Sequence, residues 1–225
     1  MGAWEQWDDR PLLGSTYGPT RVRTFVFGLR DGGLCAVSPG GRDEQRFAEL
    51  EAHGPVRFLL APNHFHNLGL ASWKARFPDA RVVAHPLALP RLRKRVPELG
   101  FEDLTALEAA LPEGVRLFSP PATQGETWVS AKTADGSTWF VTDGILNETE
   151  LPRGVMGWGM WAMGFRTGLL TNPMFKRLFV RKAEYQEWVR QQLALDPPTR
   201  FVPCHGAVLT GPDVAAALRE VTDRA

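Results

Sequence analysis

The sequence of 225 residues has only two cysteines, Cys35 and Cys204, too few for a disulfide scaffold or a zinc finger built from cysteines. It has no excess of either charge, because 26 basic residues balance 25 acidic ones. Without a strong net field, a protein that binds nucleic acid through a basic groove is not expected. The sequence also lacks an apolar run of the roughly 20 residues that a transmembrane helix needs. Its first ten residues carry no basic and apolar signal region, so we expect a cytoplasmic protein.

Hydrophobic residues make up 44% of the chain, which excludes a disordered protein and is enough for a sizeable core. Two β-hairpins are predicted, over 21–38 and 126–142, with glycine-containing turns at 31–33 and 134–136. No repeat or charge block marks a domain border, so we expect a single domain over 1–225.

Patterns typical of strands and helices interleave along the rest of the chain. Such interleaving predicts a mixed α/β layer architecture. Further strands are predicted at 56–61, 81–84, 115–118 and 201–203, helices at 43–53, 69–77, 103–111 and 212–223, and a long helical region with loops at 155–195.

Three predicted strands end in side chains that can bind a metal. His64 and His66 follow 56–61, Asp143 follows the second hairpin, and His205 follows 201–203. Functional groups collect beyond the carboxyl ends of strands in α/β sheets, and imidazole suits zinc and iron. The alternatives are histidines that only make hydrogen bonds, and an aspartate that only caps a helix or turn.

The order of these motifs, an H-x-H pair, then Asp143, then His205, resembles that of the metallo-β-lactamase superfamily. The segment 24–41 is similar to the opening hairpin of that family, although Ser38 and Pro39 stand where the family has an acidic residue. The resemblance implies a four-layer αββα sandwich, of class α/β (α+β). It also implies a metal site at one edge, with two zinc or iron ions that activate water for hydrolysis.

The resemblance implies four metal ligands, namely His64, His66, Asp143 and His205. The family signature continues with an Asp and a third His, but this chain has Asn-Leu-Gly at 67–69. A further histidine of the family, before the second hairpin, is also missing, and Gln124 or Glu126 is the nearest polar substitute. In the family, that Asp helps to hold the second ion and orients the attacking water. Hydrolysis with two metal ions therefore lacks one of its essential ligands here. We therefore expect a mononuclear site with one zinc or iron ion.

We predict a metal-dependent hydrolase that acts on a small-molecule ester, amide, thioester or phosphoester. Asp143 would bind the ion and orient water, and His205 would be a ligand or a general acid/base. Two histidines and a carboxylate on one face would also suit non-haem iron chemistry.

The alternative is a non-catalytic binding module with a degenerate metallo-β-lactamase fold. Asn63, Asn67 and Gln124 would then replace metal coordination by hydrogen bonds. The module would present a hydrophobic cleft near 154–170 to a lipid-like ligand or a protein partner.

Tryptophans and methionines are concentrated in the segment 154–170. Plain core packing, a homodimer interface and contact with a membrane surface are all compatible with this composition. The basic run 89–96 is expected to be a solvated surface.

Overall fold

The computed structural model describes residues 1–18 and 21–225. It contains two compact units, Met1–Leu117 and Phe118–Ala225. Each unit combines a β-sheet with helices, which confirms the mixed α/β class. Within the described ranges, none of the helices has the length and apolar character that crossing a bilayer requires.

The first unit is built on one mixed sheet. Its strands are Glu5–Gln6 (β1), Leu12–Tyr17 (β2), Val22–Gly28 (β3), Leu34–Val37 (β4), Val56–Ala61 (β5) and Arg81–Ala84 (β6). Its helices are Glu44–Glu51 (α1), Leu70–Arg76 (α2), Leu89–Arg95 (α3) and Thr105–Ala110 (α4). The strands lie side by side in chain order, antiparallel from β1 to β4 and parallel from β4 to β6. The next strand, Val115–Phe118 (β7), contains the boundary between the units.

Helices α1 and α2 cover one face of this sheet with aromatic side chains. Phe47 packs edge-on against Trp73 at 5.1 Å and against Phe77 at 5.5 Å between ring centroids. Helix α1 begins where Asp43 accepts hydrogen bonds from the backbone N–H groups of Gln45 and Arg46, as an N-cap does. The predicted helices at 43–53 and 69–77 are therefore confirmed.

The basic run 89–96 is not only a solvated surface. It forms α3, whose Leu89 and Leu92 are buried in the core of the first unit. Residues three apart on a helix share one face, so the two leucines anchor α3 while its basic side chains stay at the surface.

The second unit has a main sheet and a small two-stranded sheet. Its strands are Trp128–Thr133 (β8), Gly136–Val141 (β9), Ile145–Glu148 (β10), Gly168–Thr171 (β11), Arg200–Pro203 (β12) and Leu209–Thr210 (β13). Its helices are Val155–Ala162 (α5), Pro173–Leu178 (α6), Lys182–Leu195 (α7) and Val214–Asp223 (α8). The main sheet has five strands in the order β13-β12-β9-β8-β7, with β9 and β12 parallel, and β10 pairs with β11.

The second hairpin is confirmed, because β8 and β9 pair in antiparallel fashion from Val129 with Phe140 to Thr133 with Gly136. The long helical prediction over 155–195 is wrong in part. Strand β11 interrupts it, because four residues there pair with β10, a partner about twenty residues away in the chain that local periodicity does not reveal.

Asp196 ends helix α7 and ties it to the sheet. Its carboxylate accepts hydrogen bonds from Ser130 Oγ and from Lys132 Nζ on β8. Burial raises the pKa of this carboxyl, but the hydrogen bonds from Lys132, Ser130 and Ser137 outweigh burial and lower the pKa to about 2.

Asp196→Asn is expected to lower the free energy of unfolding by about 1–2 kcal/mol near neutral pH. The pKa in the folded chain lies below the unfolded value of about 3.9, so the stabilisation is complete above about pH 4 and disappears as the pH falls through about 2. Urea unfolding of both proteins across this range measures the difference. A difference that stays constant down to about pH 2 would contradict the prediction.

Candidate functional site

Asp143 and His205 meet because two parallel strands of the second unit are in register. Val141 of β9 pairs with Pro203 of β12, and the N–H of Cys204 continues the ladder to the carbonyl of Val141. Each candidate lies two residues beyond its strand, so both leave the sheet at the same edge. Asp143 Oδ1 and His205 Nε2 are 3.6 Å apart, and both side chains are partly exposed.

Hydrogen bonds between Asn147 and residues 205–207 fix the loop that carries His205, and we call this set of bonds the clasp. The carbonyl of His205 accepts a hydrogen bond from the N–H of Asn147 at 3.1 Å, and the side chain of Asn147 donates to the carbonyl of Ala207 at 2.8 Å. Gly206 has φ +99°, and a Cβ there would lie 1.8 Å from the carbonyl oxygen of Asn147. Only glycine fits this position, which explains the His205-Gly206 dipeptide of the sequence.

Glu126 is a buried carboxylate with a structural role in the second unit. It accepts hydrogen bonds from Gln124 Nε2 and Trp128 Nε1, each at 2.5 Å, and from the N–H of Gly144 at 2.9 Å. Burial raises the pKa of Tyr185 well above its usual range, and the Glu126 carboxylate adds to this rise. The oxygens of Glu126 are thus engaged in positioning Gly144, the neighbour of Asp143.

His66 is oriented by a serine of the neighbouring strand in the first unit. Strands β4 and β5 are parallel, with Val37 opposite Leu60, so their ends lie at one edge of the sheet. Ser38 follows β4, and its Oγ is hydrogen-bonded to His66 Nδ1 at 2.8 Å. When a histidine binds a metal through Nε2, an oxygen that holds Nδ1 fixes its tautomer and direction.

His64 accepts a hydrogen bond from an arginine of helix α3. Arg91 Nη1 lies 2.7 Å from His64 Nε2, and a guanidinium can only donate, so Nε2 is the acceptor. This contact occupies the lone pair that a metal would take. The H-x-H pair therefore binds two different partners within the first unit, Arg91 and Ser38.

Two asparagines shape the segment between β5 and α2. Asn63 Oδ1 accepts hydrogen bonds from the N–H groups of Phe65 and His66, at 2.8 and 3.2 Å. Asn67 Nδ2 donates to the carbonyls of His64 and Phe65, at 2.7 and 3.2 Å. The segment bends at 62–65 instead of continuing as the extended chain that the H-x-H spacing assumed.

Sequence reasoning did not assign Ser38 or Arg91 to His66 or His64. Ser38 carried a signal, because it stands at the position where the family has an acidic residue. For Arg91 the sequence contained no signal except that it lies in the basic run. Its contact with His64 depends on the packing of α3, which Leu89 and Leu92 anchor in the core.

Asp143 and His205 are spaced as two ligands of one metal ion would be. Two ligands bound to one zinc at roughly 2.0–2.2 Å stand roughly 3.3 Å apart in a tetrahedral site. The separation of 3.6 Å between Asp143 Oδ1 and His205 Nε2 is close to this value. A carboxylate oxygen and an imidazole nitrogen are also ligands that zinc and iron both accept.

No family model matches the sequence, and no curated protein matches it. Solved structures do match the fold. TMB-1 aligns with a TM-score of 0.65 at 12% identity, over 100% of this chain and 98% of its own. A metallo-β-lactamase from Hirschia baltica aligns with a TM-score of 0.56 at 11% identity, over 98% and 97%.

A third match is TTHA1623 in a di-iron-bound form, with a TM-score of 0.57 at 18% identity, over 92% of this chain and 97% of its own. Identities this low establish the architecture and leave the chemistry open. These three matches extend over nearly the whole length of both aligned chains. The chain therefore has the fold of the metallo-β-lactamase superfamily.

Proposed function

We propose that this chain is a metal-dependent hydrolase with a single-ion site held by a subset of His64, His66, Asp143 and His205. The observation that carries the proposal is the pairing of Asp143 with His205, a carboxylate oxygen and an imidazole nitrogen 3.6 Å apart beyond two parallel strands. Such a pair at the carboxyl ends of strands is typical of functional sites in α/β proteins.

His66 is the stronger candidate of the two histidines after β5. Its Nδ1 contact with Ser38 favours coordination through Nε2. His64 suits coordination less well, because Arg91 donates to its Nε2 and would bring a positive charge close to the ion.

A zinc or iron ion bound there supplies Lewis-acid activation of a water molecule. Asp143 would help to hold the ion and would orient a water molecule through its carboxylate. His205, when it is not a ligand, can give a proton to the leaving group. This chemistry suits a small ester, amide, thioester or phosphoester.

A single ion is supported by the residues that the chain lacks. TTHA1623 has a di-iron-bound form, whereas this chain has Asn-Leu-Gly at 67–69 in place of the Asp and His that the family signature holds there. The carboxylate of Glu126 already accepts three hydrogen bonds, which argues against Glu126 as a replacement metal ligand. We also propose that residues 1–225 form one domain, because the matches span nearly the whole chain.

The metal content of the purified chain tests this proposal. We expect about one zinc or iron per chain after incubation with the metal and desalting, and a loss of at least about tenfold in His66→Ala and in Asp143→Ala. His53→Ala, an exposed histidine at the end of α1, serves as the matched control and keeps its metal. Elemental analysis by mass spectrometry gives the stoichiometry.

Two results would overturn the single-ion proposal. The first is a wild-type chain without bound metal after the incubation, and the second is a chain that binds two ions. The first result would favour the non-catalytic binding module. Its specific support is the contact between Arg91 and His64, together with the hydrogen bonds that Asn63 and Asn67 make around the histidines.

A further inference from the structure

Seven large apolar side chains in and beside α5 and α6 are exposed. We call this set the α5–α6 surface, and it consists of Val155, Met156, Trp158, Trp161, Met163, Met174 and Leu178. Val155 is 92% exposed, Trp158 80% and Trp161 58%. Several large apolar side chains exposed together mark a site of contact with a partner or a membrane.

The α5–α6 surface is held in place by hydrogen bonds. Arg166 Nη1 donates to the carbonyls of Trp161 and Phe165, at 2.7 and 2.6 Å. Arg177 Nη1 of α6 donates to the carbonyl of Met163 at 3.1 Å and so joins the end of α5 to α6. Phe165, which lies between α5 and α6 in the chain, is buried. These contacts hold the backbone of the α5–α6 surface in a defined conformation.

Basic residues outnumber acidic ones in the part of the sequence that carries this surface. The segment 151–182 contains six basic residues and no acidic one, while Glu148 and Glu150 precede it and Glu184 follows it. The six are Arg153, Arg166, Lys176, Arg177, Arg181 and Lys182. The chain as a whole is almost neutral, so this local excess of positive charge belongs to the α5–α6 surface and its border.

Exposed tryptophan, methionine and valine side chains near basic residues suit the interface of an anionic membrane, where apolar groups enter below charged headgroups. Tryptophan prefers the headgroup level, and long basic side chains reach lipid phosphates from beside an apolar patch. We infer that the α5–α6 surface binds the headgroup region of an anionic lipid bilayer. The inference does not depend on the hydrolase proposal.

A second copy of the chain fits this surface less well. A symmetric dimer places the same patch of both copies face to face, so the two basic borders would meet. Like charges in such an interface disfavour association. An anionic bilayer offers the opposite charge and an apolar layer below it.

Vesicle binding by the full chain tests the inference. Co-sedimentation is measured with vesicles of phosphatidylcholine alone and with vesicles that contain about one third phosphatidylserine, at low and high salt. We expect binding to the anionic vesicles to be at least about tenfold tighter than to the neutral ones. High salt is expected to weaken it, because salt screens the attraction.

Two variants separate the apolar and the electrostatic contributions. Val155→Ser/Trp158→Ser removes the two most exposed apolar side chains of the α5–α6 surface and is expected to weaken binding by at least about tenfold. Its control is Leu195→Ala, a leucine of α7 that is 76% exposed away from the surface. This control is expected to bind within about twofold of the wild type.

The charge variant Arg153→Gln/Arg181→Gln/Lys182→Gln is expected to lose at least about tenfold on anionic vesicles. Its control removes three exposed cations elsewhere, in Lys94→Gln/Arg95→Gln/Arg219→Gln. Analytical ultracentrifugation and circular dichroism check that all variants keep the oligomeric state and the fold.

Three outcomes would overturn the inference. One is a wild-type chain that does not bind anionic vesicles, and another is binding that falls equally in the control variants. The third is a wild-type dimer that Val155→Ser/Trp158→Ser converts to a monomer, which would identify the surface as an interface between copies.

Discussion

Replacing Gly206 with alanine is expected to destabilise the second unit by about 3 kcal/mol or more. Gly206 has φ +99°, in the left-handed region where a side chain costs energy. The added Cβ would also lie 1.8 Å from the backbone oxygen of Asn147, a contact that no side-chain rotation relieves. The clasp between Asn147 and the loop after β12 must open, and His205 moves with it.

Urea unfolding of Gly206→Ala, followed by fluorescence, measures this loss. Gly100→Ala is the matched control, because no atom lies within 4 Å of a Cβ at that position. We expect the control to change the free energy of unfolding by less than about 1 kcal/mol. An unfolding midpoint of Gly206→Ala equal to that of the wild type would show that the clasp does not constrain His205.

The second large effect is expected at Glu126. Glu126→Gln replaces a carboxylate oxygen by an NH2 group, which cannot accept from Gln124, Trp128 or Gly144. The NH2 group either faces the donors of Trp128 and Gly144, or forces Gln124 to turn its amide oxygen toward it. Because charge-assisted hydrogen bonds are also lost, we expect a loss of about 2–4 kcal/mol in the free energy of unfolding.

Thermal and urea unfolding of Glu126→Gln give the size of this loss, with the exposed Glu150→Gln as the matched control. The fraction that stays folded at low temperature is expected to keep the metal stoichiometry of the wild type, since the Glu126 oxygens are already engaged. A stable variant that loses its metal would instead make Glu126 a ligand.

Local patterns predicted most of the strands that position the candidate site. The strand at 56–61 is confirmed to the residue, and β9 and β12 end just before the predicted Asp143 and His205. Such strands are readable because each is a short apolar run followed by turn-forming residues. Strand β2 at Leu12–Tyr17 was missed, since a glycine and two hydroxyl residues interrupt its apolar pattern.

Pairings between distant segments were not readable from local patterns. The strand β11 gains its conformation from β10, and the contact of Arg91 with His64 joins a helix to a loop 27 positions earlier. The sequence left open whether Gln124 or Glu126 replaces the histidine that the family resemblance implies, and it did not show that Glu126 accepts three hydrogen bonds. Donors and acceptors are matched in space, so their pairing depends on the fold.

The sequence alone therefore determined which side chains follow the strands. Tertiary structure decided which of these side chains meet. Asp143 and His205 are 62 positions apart, and only the parallel register of β9 and β12 brings them to 3.6 Å. Likewise, the parallel pairing of β4 with β5 gives His66 its contact with Ser38. Strand register is a non-local property, set by the packing of whole sheet faces.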